Sequence, residues 1–220
     1  MARTALLIYS LIGALNVWSA VIEQPLLHTL TKPLLMPMLL LYVFSQTHIV
    51  IRNKLIFILV FAWFGDMFLL VPGNSPLYFQ LGLASFLIMQ IGYIRLFSSQ
   101  SSEGNFNLRL WFSWPIIPIL IYVVGFLAFL MPLIPVALYI PVGLYAVALG
   151  SMLHAAYLRK MDSSYYLILM GATFFVVSDS LLALAKFYFS FPGNSIMIMG
   201  TYIPAQLLLT LGLCKLQFKN

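Results

Sequence analysis

The chain has 220 residues, of which 63% are hydrophobic and 7% charged. A water-soluble domain carries about 25% charged residues, so most of this surface cannot face water, and a disordered chain is excluded on the same ground. In a soluble protein a formal charge of +6 would point to nucleic acid; here the basic residues are first topology signals, and a lone cysteine, Cys214, rules out an internal disulfide scaffold.

A membrane-spanning helix needs about 20 mostly apolar residues. Eight segments qualify: 4–22, 33–50, 55–71, 77–97, 110–130, 133–158, 165–187 and 195–213. The first has Arg3 before it and no small-residue cleavage site, so it reads as an uncleaved helix. Charges or turn formers separate the segments at 52–54, 72–76, 98–107 and 192–195. The runs are apolar on nearly every face, whereas barrel strands would alternate. The expected fold is an all-α integral membrane protein, an eight-helix transmembrane bundle forming a single polytopic domain over residues 1–220.

Lys and Arg in short loops set orientation. With eight spans, Arg3, Arg52, Lys54, Arg95, Arg109, Arg159, Lys160, Lys215 and Lys219 share one side, and Lys32 and Lys186 occupy the other. This bias predicts that both termini are cytoplasmic and accounts for the basic pI without nucleic acid. A bacterial cytoplasmic (inner) membrane is the expected location.

Two segments resemble each other. Asp66 follows Phe-Ala-Trp-Phe-Gly, and precedes Pro72-Gly-Asn-Ser75 and then Gln90; Asp179 follows Phe-Phe-Val-Val-Ser, and precedes Pro192-Gly-Asn-Ser195 and then Gln206. The offsets are 113 for the aspartates, 120 for the Pro-Gly-Asn-Ser runs and 116 for the glutamines. Either the chain holds a parallel four-plus-four repeat, with a site between the halves, or loop-forming residues coincide.

A charge at the bilayer centre costs at least about 2.5–3.5 kcal/mol, so polar groups inside spans are the informative ones. Glu103 and Asp162 fall in cytoplasmic loops and Glu23 ends the first span; Asp66 and Asp179 lie inside apolar helices. Counted from the cytoplasmic ends of their spans, they sit roughly 16 Å and 21 Å deep, in the outer half of a core about 30 Å thick. Lys186, seven residues after Asp179, shares its helix face, and Lys32 opens the second span at the same boundary. The bland reading is that each aspartate only locks neighbouring helices. Gln90 with Tyr93 and Tyr202 with Gln206 share helix faces, and Ser178 adjoins Asp179. Each of these, and Asn16, taken singly, serves more readily in a structural hydrogen bond than as a ligand. Trp18, Trp111 and Trp114 suit interface anchors.

Metal and cofactor chemistry find no support. His48 and His154 lie near cytoplasmic ends, His28 lies in an outer loop, and no three ligands share a depth. No nucleophile elbow or phosphate loop occurs. Two carboxylates remain, and such a pair divides acid and base work when their surroundings differ. An apolar site favours the neutral carboxyl, and a lysine favours the ionised one. On this reading Lys186 keeps Asp179 ionised and Asp66 donates a proton. The arrangement suits an oxocarbenium-like path, which enol ethers follow on hydrolysis.

The pieces Lys32-Pro33-Leu34-Leu35, Gly65-Asp66-Met67-Phe68-Leu69-Leu70, Gly82-Leu83 with Phe86, Tyr93-Ile94, Ser178-Asp179-Ser180-Leu181-Leu182-Ala183, Lys186-Phe187 and Tyr202 with Ala205-Gln206 occur in this order. In them the chain resembles the YhhN family of polytopic membrane proteins, which includes the lysoplasmalogenases. Two departures are Gln90 and Ala185, where the family often carries His and Asn; Gln90 cannot titrate near neutrality. The resemblance implies hydrolysis of the vinyl ether of a lysophospholipid within the bilayer, with Asp66 and Asp179 catalytic and no cofactor. Lys32, Lys186, Gln90, Tyr93, Ser178, Tyr202 and Gln206 would bind the substrate, the two lysines at its phosphate. The competing class is a proton-coupled carrier, which also uses buried acids.

Overall fold

The computed structural model describes residues 1–46, 51–71, 76–100, 114–189 and 193–215. His48, Glu103, Arg109, Trp111, Lys219, the run 72–75 and Pro192 lie outside them. The helices are α1 (Ala2–Val21), α2 (Pro25–Phe44), α3 (Arg52–Leu70), α4 (Pro76–Ser98), α5 (Ile116–Leu130), α6 (Tyr139–Tyr157), α7 (Tyr165–Phe187) and α8 (Asn194–Lys215). Two short 3-10 turns, Met131–Leu133 and Val136–Leu138, join α5 to α6. Counting those turns with their neighbours, eight helices are long and apolar enough to cross a membrane, and the described residues contain no strand. The chain is a multi-pass membrane protein.

The second span departs from expectation. It begins at Pro25, not at Pro33, so Pro33 and Pro37 both lie inside the helix. Pro25 occupies the first helical position, where a missing N–H costs nothing. An internal proline removes a hydrogen bond to the carbonyl four residues back, and Pro37 thereby frees the Pro33 carbonyl. The Trp63 indole of α3 donates to that oxygen at 2.9 Å. Trp63→Phe is therefore expected to cost about 1 kcal/mol. Pro37→Ala, which restores the N–H, should recover that loss in the Trp63→Phe background; equal effects of Trp63→Phe with and without Pro37 in thermal unfolding would refute the compensation.

The earlier start of α2 also moves Lys32. It lies seven residues into the helix, roughly 10 Å from its end, rather than at the boundary.

Lipid is as apolar as leucine, so close packing and hydrogen bonds must join these helices. Neighbours pack in the order α1, α2, α3, α4, α6, α7, α8 and back to α1, while α5 lies outside the ring against α6. The most extensive pairs are α7 with α8, α1 with α2, and α3 with α4. Gly171 permits the first of these. A Cβ there would sit 3.0 Å from the Leu209 backbone nitrogen and 3.1 Å from the Ala205 carbonyl oxygen. The core inside the ring includes Tyr9, Leu35, Leu59, Met89, Phe175 and Leu209, all fully buried.

In the four-plus-four reading α5 stands in the place of α1, and the two helices pack differently. In the first half, α1 closes onto α8 and the Tyr9 hydroxyl donates to the Ile203 carbonyl at 2.8 Å. Its counterpart α5 does not pack comparably onto α4. A cleft remains between α4, α5, α6 and α7.

Candidate active site

Asp66 is one turn from the end of α3 and 1% exposed. Its Oδ1 lies 3.5 Å from Lys32 Nζ on α2, and its Oδ2 accepts the Tyr202 hydroxyl of α8 at 2.8 Å. A buried charge persists only when paired and hydrogen-bonded, and Asp66 has both. Tyr202 is held edge-on against Phe86 and tilted against Phe175. Phe86 can approach because residue 65 is glycine, since a Cβ there would fall 2.7 Å from the Phe86 ring.

Asp179 is set in different surroundings. The Tyr145 hydroxyl of α6 donates to its Oδ2. The carboxyl lines the cleft left by α5, an almost wholly apolar slot of about 60 Å³ whose walls include Phe86, Tyr122, Phe126, Leu149, Ala183 and Leu69. The Tyr122 hydroxyl on α5 hydrogen-bonds the Ser180 hydroxyl on α7 across this slot.

Two cavities adjoin near the acids. The second is a polar cavity of about 500 Å³ at the end of the bundle away from the termini, lined by Glu23, Gln24, His28, Thr29, Lys32 and Asn194 among others. Leu69 stands in the walls of both cavities. Asp66 is hidden behind Lys32 and lines neither.

The expected pairing of the lysines is reversed. Lys186 does not serve Asp179: its Nζ lies 5.4 Å over the Phe79 ring, and Phe79 meets Phe187 edge-on at the rim of the apolar cleft. A long ammonium side chain near a helix end bends toward the headgroups, so a shared helix face did not bring Lys186 to Asp179. Lys32 takes the ion-pair role, and with Asp66.

The amides form a deeper layer. The Tyr93 hydroxyl donates to Gln206 Oε1 at 3.3 Å, and Gln206 Nε2 approaches Met89 Sδ at 3.6 Å. Gln90 is fully buried and its amide has no hydrogen-bond partner among the described residues. None of the three lines either cavity. Ser178 donates to the Ile198 carbonyl at 3.0 Å, tying α7 to α8. Of the nine residues singled out in sequence, the structure joins Asp66, Lys32 and Tyr202 by direct contacts, sets Asp179 in the wall of the adjoining slot, and holds Gln90, Tyr93, Ser178, Gln206 and Lys186 apart.

Tyr145 escaped the sequence reading because a tyrosine in an apolar helix looks like an anchor. The spacing of the two aspartates held a signal. Asp179 follows Asp66 by 113 residues, and Tyr145 follows Lys32 by the same 113. At that spacing a cation grips the first acid and a hydroxyl the second. Tyr202 likewise answers to Phe86 at the glutamine offset of 116. Phe86 brings no hydroxyl to Asp179, which leaves that carboxyl the less satisfied of the two. Among the described residues no group of three His, Cys, Asp or Glu side chains could hold a metal ion.

The family model described as the YhhN family matches residues 27–213. No curated protein matches the chain, and no solved structure matches it.

Proposed function

Because the chain belongs to the YhhN family, which includes the lysoplasmalogenases, we propose that it hydrolyses the vinyl ether of lysoplasmalogen to a fatty aldehyde and a glycerophospho-ethanolamine or -choline. The observation that carries this reading is the junction at Leu69. An apolar slot holding one carboxyl meets a polar cavity holding a lysine, and a single-chain lipid has the same two-part chemistry. The alkenyl chain takes the slot, entering from lipid as α5 moves outward, and the phosphate takes Lys32. The ether bond then crosses Leu69.

The two carboxyls have distinct work. Asp179, in apolar walls with a hydroxyl for a partner, gives its proton to the vinyl carbon remote from oxygen. The remaining carbon and the ether oxygen share the positive charge as an oxocarbenium ion. Asp66, kept ionised by Lys32, stabilises that charge through space. Water adds to the cationic carbon and its spare proton returns to Asp179, leaving a hemiacetal. Transfer of the hemiacetal hydroxyl proton to the glycerol oxygen breaks the C–O bond and frees the aldehyde.

The test is aldehyde release by the purified chain in detergent from three lysolipids with vinyl-ether, alkyl-ether and acyl links. Release from the vinyl ether alone is expected. Binding of that lipid without any aldehyde would overturn the proposal in favour of a carrier, which needs no bond cleavage.

A further inference from the structure

We propose that the polar cavity is a headgroup subsite selective for a phosphodiester that carries a primary ammonium, with Glu23 reading the ammonium and Lys32 the phosphate. This rests on the hydrolase reading for the substrate's phosphate, while the discrimination at Glu23 stands on the cavity itself.

Among the described residues the cavity has one anionic and one cationic side chain, Glu23 and Lys32. That balance suits a zwitterion better than a simple phosphate. The two are spread along the entrance of α2. Glu23 precedes the helix, and Lys32 lies roughly 10 Å below its start. Phosphate therefore sits inward, next to the reacting groups, and the ammonium sits at the mouth. Lys32 remains the inner end because Asp66 holds it there.

The walls also distinguish a primary ammonium from a trimethylated one. Quaternary ammonium groups are recognised by the faces of Trp, Tyr or Phe, and among the described residues none of these lines the cavity, where the one aromatic ring is the His28 imidazole. Hydrogen-bond acceptors line it instead. The Glu23 carboxylate, the Gln24 amide and the Thr29 hydroxyl, which donates to the Pro25 carbonyl and keeps its lone pairs, can accept N–H bonds. A trimethylammonium offers none. Glu23 also adopts φ of 53°, in the left-handed region that favours glycine and asparagine. A carboxylate stands at a turn position where a smaller residue would fit the backbone better, as expected of a side chain kept for its charge.

The test measures binding of three water-soluble probes to the purified chain by calorimetry: sn-glycero-3-phosphoethanolamine, sn-glycero-3-phosphocholine and sn-glycerol 3-phosphate. The ethanolamine probe is expected to bind about tenfold tighter than the other two, the margin of a charge-assisted hydrogen bond. Glu23→Gln should bring all three within about twofold, and Glu23→Asp should retain part of the preference. Equal affinities in the parent chain, or a preference unchanged in Glu23→Gln, would overturn the subsite. Aldehyde release from vinyl-ether lysolipid is followed in parallel. Release without headgroup preference rejects the subsite and keeps the hydrolase; preference without release rejects the hydrolase and keeps the subsite.

Discussion

Asp179→Asn is expected to slow aldehyde release from a vinyl-ether lysolipid by about 10²–10⁴-fold, the usual contribution of a positioned general acid. The substitution keeps size and shape, and the asparagine carbonyl can still accept the Tyr145 hydroxyl that now donates to Asp179. The fold should therefore survive, with thermal unfolding close to that of the parent. The substituted amide has no proton to give at the vinyl carbon. Turnover within a few-fold of normal in a folded protein would remove Asp179 from the mechanism, and the apolar slot would lose its chemical purpose.

The second large effect concerns stability. Lys32→Met strips the partner from an aspartate that is 1% exposed. Breaking a buried ion pair by removing one member costs about 3–5 kcal/mol, mostly from the charge left behind. The loss should reverse when that charge is removed as well. Lys32→Met with Asp66→Asn is expected to be more stable than Lys32→Met alone, because Tyr202 can still donate to the amide oxygen. Turnover should stay low in the double variant, since stabilisation of the cation would be gone. A double variant no more stable than the single one in detergent unfolding would show that the two side chains do not depend on each other.

The helices were readable from hydropathy because each must bury or expose apolar groups on every face. Their ends were less so. Pro33 looked like a start signal, but the helix starts at Pro25 and holds both Pro33 and Pro37, and tertiary contact compensates the second of them, where Trp63 takes the carbonyl that Pro37 frees. That misplacement put Lys32 at the membrane boundary, when it lies deep enough to meet Asp66. Lys186 went wrong for another reason. Helical spacing states which residues share a face, but a flexible ammonium chooses its own direction, here over Phe79. The two aspartates stood out because a carboxyl in an apolar run is costly. Tyr145 did not, because its cost is small and its hydroxyl gains meaning only beside Asp179. The glutamines were conspicuous for the same reason as the acids, yet Gln206 spends its amide on Tyr93 and Met89 within the core.

Leu69 stands between two exits of opposite character. Cleavage beside it would give each fragment its own way out. The aldehyde would slip sideways into the bilayer past α5, and the phosphate-bearing remainder would leave by the watery mouth. A reactive carbonyl would thus part from the Lys32 amine at the moment it forms, and a surfactant would be dismantled into one piece that stays with the lipids and one that dissolves.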